Sequence, residues 1–206
     1  MVKRHQPPPE RYIALGDSYT IGEGVDPDRS WPNLLVTHLR HSGVNIELVA
    51  NPSVSGWTTK EVIAHELPIF EASRPTFATL LIGVNDWVQS ISKREFRENL
   101  AHILDRTQAT LPDRNKVLLI TIPDFSVTPD GPTYARGRDI AEGIAAFNDI
   151  IKAEADLREL PVVDIFPLSQ DLGDARFIGE DNLHPSANAY IRWEKLIFPA
   201  ARELLA

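Results

Sequence analysis

Short apolar runs alternate with longer amphipathic ones along this chain, and that alternation limits its fold more than any other feature. Residues 11–17 (RYIALGD), 45–50 (NIELVA), 77–83 (FATLLIG), 116–122 (KVLLITI) and 161–166 (PVVDIF) read as strands. The third and fourth are continuously apolar, the mark of strands buried on both faces. Helical patterns lie between them. Trp31, Leu34, Leu35 and His38 share one face of a helix over 30–42, with Ser30 as its candidate N-cap. Thr58 and Glu61 have capping-box spacing and open a short helix. Ser92 and Glu95 repeat the spacing ahead of Phe96, Leu100, Ile103, Leu104 and Leu111. Ile140, Ile144, Phe147 and Ile151 stripe a long helix, and Pro185 opens a last one carrying Tyr190, Ile191, Ile197, Phe198 and Leu205. Alternation of this kind predicts an α/β fold: a doubly wound, five-stranded parallel sheet in a three-layer α/β/α sandwich. Residues 11–206 hold no linker or repeat and read as a single domain. Residues 1–10, with Lys3-Arg4-His5 and Pro7-Pro8-Pro9, read as a disordered N-terminal arm.

Charge and composition remove several function classes. Lys plus Arg is 21 and Asp plus Glu is 29, a net charge of −8. Nucleic acid is therefore no expected partner, because binding it rests on neutralising phosphates. The absence of cysteine excludes disulfides, thiolate nucleophiles and Cys-ligated metals. No stretch approaches the roughly 18 apolar residues of a membrane span, so stable membrane insertion is not expected. The N-terminal basic residues lack the apolar core of roughly 7–15 residues that marks a signal peptide; a cytoplasmic location is the expectation. His38 and His41 lie three apart on one helix, but no third ligand stands out and no metal site is assigned. Oligomeric state has no signature here.

In doubly wound folds, ligands bind beyond the carboxyl ends of the strands. The five strand exits carry GDSYTIGEG (16–24), NPSVSGWTT (51–59), GVNDW (83–87), PDFSVTPDG (123–131) and, past the fifth strand, DNLHPSA (181–187). The glycines of the first match neither phosphate-loop spacing, and no lysine accompanies them. Ser18 reads either as a helix cap or as a nucleophile at a strand end. A serine hydroxyl needs a base within hydrogen-bond reach, and histidine suits because it titrates near neutrality. His184 is held by the proline that follows it, and Asp181 is close enough to fix its tautomer. An attacked carbonyl also needs donors for its developing charge. Gly56, without a side chain, lets its N–H approach a ligand closely, and Asn85 offers an amide. Each also reads singly as a turn residue. It is their convergence on four separate strand exits that favours chemistry.

These blocks resemble those of the SGNH hydrolases, the GDSL-type esterases and lipases. GDSY resembles the first block, NPSVSG the second, GVND the third (G-x-N-D) and DNLHP the last (D-x-x-H-P), in the family's order and over residues 16 to 185. The resemblance implies a flavodoxin-like sandwich and hydrolysis of carboxylic esters or thioesters with no metal or organic cofactor. It places the nucleophile on Ser18, the acid on Asp181 and the base on His184. It forms the oxyanion hole from the Ser18 and Gly56 N–H groups with the Asn85 side chain. Tyr19 departs from the usual leucine, which bears on the subfamily and not on the reaction; Asp17 is expected to order the loop. Trp57, Trp87 and Phe125 are candidate substrate-binding residues, and 124–137 overhangs the site as a candidate lid. The expected substrate is a small ester with a short acyl or acetyl group, with thioesters and lysophospholipids as alternatives. A flavodoxin-like binding protein without catalysis is the rival from another class.

Overall fold

A computed structural model of the chain describes residues 8–171 and 173–206. Most of the expected arm lies outside those residues; its last member, Glu10, begins the first strand. The sheet has five parallel strands, β1 (Glu10–Gly16), β2 (Ile46–Ala50), β3 (Phe77–Leu81), β4 (Val117–Ile120) and β5 (Val162–Val163), in the order β2-β1-β3-β4-β5. This is a doubly wound order with its switch point between β1 and β3. In β3 and β4 every residue is buried, as an apolar run with a helix layer on each face requires.

The helices are α1 (Ser18–Ile21), α2 (Trp31–His41), α3 (Thr59–Glu61), α4 (Leu67–Ala72), α5 (Val84–Val88), α6 (Lys93–Thr110), α7 (Gly131–Ala135), α8 (Ile140–Leu157), α9 (Phe166–Gln170) and α10 (Ala187–Leu204). Helices α2 and α10 pack on one another in one layer; α4, α6 and α8 pack together in the other. The predicted faces of α6 and α8 are buried, through Phe96, Leu100, Ile103 and Leu104 and through Ile140, Ile144, Phe147 and Ile151; of the face predicted for α2, Trp31 and Leu35 are buried, Leu34 is half-buried and His38 is exposed. His38 turns to Glu194 of α10, Nδ1 to Oε2 2.8 Å, and not to His41. No described helix is long and apolar enough to cross a membrane.

Several boundaries and caps differ from the sequence expectation, and four of them have a local reason. Asp17 leaves the strand because its side chain caps α1. Ser30 stands at the N-cap position of α2, but its hydroxyl donates to Pro27 O at 2.7 Å instead of capping. β5 stops at Val163: Asp164 accepts the Phe166 N–H at 3.2 Å and the Thr121 hydroxyl at 2.9 Å, which turns the chain into α9. Pro185 pairs with Ile178 in an isolated bridge, so α10 starts two residues later, capped by Ser186, whose hydroxyl accepts the Asn188 N–H.

Candidate active site

Ser18 sits at the carboxyl end of β1, the first residue of a helix only four residues long. Asp17, fully buried, caps that helix by accepting the Tyr19 N–H at 3.1 Å. Ser18 is thus not the cap. Its own N–H has no acceptor among the described residues. The same holds for Gly56, in the loop after β2, whose φ of +84° is the left-handed backbone that glycine adopts without strain. Two unspent amide donors at neighbouring strand exits are what an oxyanion would use.

The loops that carry them are tied down from several sides. Asn51 Nδ2 donates to Thr20 O at 2.9 Å, and the Ser55 hydroxyl donates to Glu23, so the exits of β1 and β2 are joined. Asn85, in the first turn of α5, gives one amide N–H to Trp57 O at 2.9 Å, and the other has no acceptor among the described residues. Asp86, also buried, accepts the Thr59 N–H at 3.0 Å and the Thr59 hydroxyl at 2.5 Å, locking the exit of β3 to the start of α3. Burial raises the Asp86 carboxyl to about 6 against these bonds, with Glu61 adding to the rise. The Thr58–Glu61 capping box forms as expected, with Thr58 N–H donating to Glu61 Oε2 at 2.8 Å.

Asp181 and His184 come from a tight loop past β5. Gly179 N–H donates to His184 O at 2.7 Å, Asn182 takes the left-handed conformation, and Asp181 Oδ1 accepts the N–H groups of Leu183 and His184 at 3.0 and 2.9 Å. The other carboxyl oxygen meets His184 Nδ1 at 2.6 Å. Burial works against the Asp181 anion, but the bonds from the His184 ring and the two backbone N–H groups outweigh it and hold the carboxyl below its usual range. An imidazole held at Nδ1 turns Nε2 away from the acid, as a general base requires.

Tyr19 links the two halves. Its ring meets the His184 ring edge to face, centroids 5.9 Å apart, and packs on Trp193 at 5.7 Å. The sequence reading put this side chain outside the machinery; the departure from leucine was its only signal. Ser18 Oγ and His184 Nε2 share no hydrogen bond among the described residues, a gap that substrate binding commonly closes in such sites. Beside the imidazole, Tyr19, Phe125, Phe177, Leu183, His184 and Trp193 line a largely apolar cavity of about 330 Å³, counting the part open to solvent.

The three expected substrate residues fare differently. Phe125, 3% exposed, lines that cavity. Trp57 is half-buried with its ring against His65, centroids 5.2 Å apart. Trp87 does not stand at an entrance. It is 5% exposed, covered by the Arg138 guanidinium 3.9 Å from its ring centroid, and packs edge to face behind Phe125. The 124–137 segment is partly helical through α7, and Asp130 N–H donates to Asn182 O at 3.1 Å, which joins it to the histidine loop.

The chain is 26% identical to Esterase TesA of Pseudomonas aeruginosa over 196 residues, 94% of this chain and 88% of that one. It is 24% identical to an arylesterase of Vibrio mimicus, covering 87% of this chain and 82% of that one. A crystal structure of TesA superposes with a TM-score of 0.77 over 95% of this chain and all of that one, at 26% identity. An Enterococcus faecalis lipase/acylhydrolase shares the fold, with a TM-score of 0.78 at 23% identity over 96% of this chain and 97% of that one. Residues 14–191 match the GDSL-like lipase/acylhydrolase family, and the chain belongs to that family of ester hydrolases.

Proposed function

We propose that the protein is a serine esterase acting through an acyl-enzyme on Ser18. The observation that carries the reading is the 2.6 Å bond between Asp181 and His184 Nδ1, in a loop whose imidazole packs on the residue next to Ser18. His184 takes the Ser18 proton as Oγ attacks the ester carbonyl, and Asp181 holds the ring and stabilises the imidazolium. The carbonyl oxygen, now an anion, is met by the N–H groups of Ser18 and Gly56 and by the free amide hydrogen of Asn85. Each donor of this kind contributes about 3–4 kcal/mol to the transition state. His184 returns the proton to the leaving alcohol, and water then repeats the sequence on the acyl-enzyme.

The cavity beside His184 favours a short acyl or acetyl ester. Phe125, Phe177 and Trp193 offer it a small apolar surface. A second reading, thioester or lysophospholipid hydrolysis, is prompted by an Escherichia coli relative named thioesterase 1/protease 1/lysophospholipase L1, 23% identical over 86% of this chain. An acyl series from acetate to palmitate, offered as oxygen esters and as thioesters beside Ser18→Ala, separates these. The proposal expects the fastest turnover on short oxygen esters and none in the variant. A preference for long acyl thioesters favours the second reading.

A further inference from the structure

From Thr59 to Ala72 the chain is helical, but Val62–Glu66 winds as a π-helical turn between α3 and α4. Such a turn is less favourable than α-helix and persists mostly where a site gains from it. The residue that ends it is Glu66, an acid with no exposed surface. Its Oε2 accepts the Gly16 N–H at 3.0 Å, two residues before Ser18. Pairing of β1 with β2 ends at Ile13, so Glu66 holds Gly16 beyond the reach of β2, while β3 stays in register with β1 as far as Gly16 and Leu81.

The exit is closely packed on its other side. A Cβ on Gly16 would stand 2.2 Å from Thr20 Oγ1 and 2.3 Å from Leu81 O. The peptide leading into the nucleophile therefore lies between the β3 backbone and the Glu66 carboxyl. Packing alone does not explain an acid here. Glu66 Oε1 and Asp17 Oδ2 are both buried without a hydrogen-bond partner among the described residues, and an apolar side chain would leave no such orphan. Burial pushes both carboxyls up to about 8, and the Asp17 charge adds to the rise at Glu66. What the acid supplies in return is one acceptor aimed at Gly16.

We propose that Glu66 is a positioning residue for the nucleophile: by holding the Gly16 N–H it fixes the peptide that aims the Ser18 hydroxyl and N–H. The inference rests on Ser18 being the nucleophile. Three variants test it with nitrophenyl acetate, in an assay that includes Ser18→Ala. Glu66→Met keeps the length and removes the acceptor. Glu66→Gln keeps an oxygen for Gly16 and has an amide for Asp17. Glu66→Asp keeps the acid but withdraws it by one methylene. Misaiming a nucleophile costs between about tenfold and a hundredfold in rate, so Glu66→Met is expected to lose that much kcat with KM changed less than about twofold. Glu66→Gln should restore kcat to within about threefold of wild type. Should Glu66→Met fail to fold, Glu66→Asp is read in its place and is expected to lose kcat in the same way. A folded Met or Asp variant with wild-type kcat overturns the inference, as does a Gln variant as damaged as the Met one. Ser18→Ala at the wild-type rate would instead overturn the nucleophile assignment, so the two failures are distinct.

Discussion

Asp181 Oδ2 lies 2.6 Å from His184 Nδ1, while Asp181 Oδ1 accepts the backbone N–H of His184 itself at 2.9 Å. One carboxylate thus shapes the loop and orients the ring it carries. Asp181→Asn keeps an acceptor for the backbone but places a neutral amide against the imidazole. It is expected to lower kcat by roughly 10²–10⁴-fold while leaving the thermal midpoint nearly unchanged. Steady-state kinetics with a nitrophenyl ester, beside a melting curve, measure both. A loss of folding together with activity would make Asp181 a loop residue only.

Asn85 holds Trp57 O with one amide hydrogen at 2.9 Å and has the other to offer. Asn85→Ala should cost roughly 10²–10³-fold in kcat, the usual effect of deleting one oxyanion donor, with little change in KM because the bond strengthens in the transition state. A raised KM at constant kcat would move Asn85 to ground-state binding.

Phe125 lines the cavity beside His184, with Trp87 behind it. Phe125→Ala is expected to shift selectivity from acetate toward propionate by roughly 10–100-fold in the ratio of kcat/KM, given about 1–3 kcal/mol for the one methylene added. An unchanged chain-length profile would place the acyl group elsewhere.

Asp17 and Glu66 are acids held largely neutral by burial, at about 8 against ordinary values of 3.8 and 4.5. The sign follows from proton linkage. Below about pH 4 both states are protonated and the full stability is present; from there to about pH 8 the unfolded state ionises while the folded state stays protonated, and the stability is lost. The thermal midpoint is therefore expected to fall between about pH 4 and pH 8. Asp17→Asn keeps the cap, since asparagine caps as well as aspartate, and should make that fall shallower. An equal fall in the variant would show that Asp17 does not drive it.

The sheet and the four loops of the candidate site are legible because their signals are local. Apolar runs marked β3 and β4, capping spacing marked α3 and α6, and the loop residues sit in short contiguous blocks. What was not legible depends on contacts across the sequence. Glu66 carries no local signal; a π turn brings it to Gly16, 50 residues away. Trp87 reads as a pocket residue until Arg138 covers it and Gly143 leaves room for its ring. Tyr19 reads as a departure that bears on the subfamily alone; that its ring reaches His184 is a contact no local pattern declares. The end of β5 is set by Asp164 bonding to Thr121, a choice no local pattern declares.

The central claim is that one hydroxyl, activated by one imidazole, attacks the ester. The most direct measurement is to label the protein with a nitrophenyl phosphate triester and find the adduct by peptide mass spectrometry. The account predicts a single phosphorylated residue, Ser18, with labelling slowed at least about a hundredfold in His184→Ala. An adduct on any other residue, or undiminished labelling without the histidine, contradicts it.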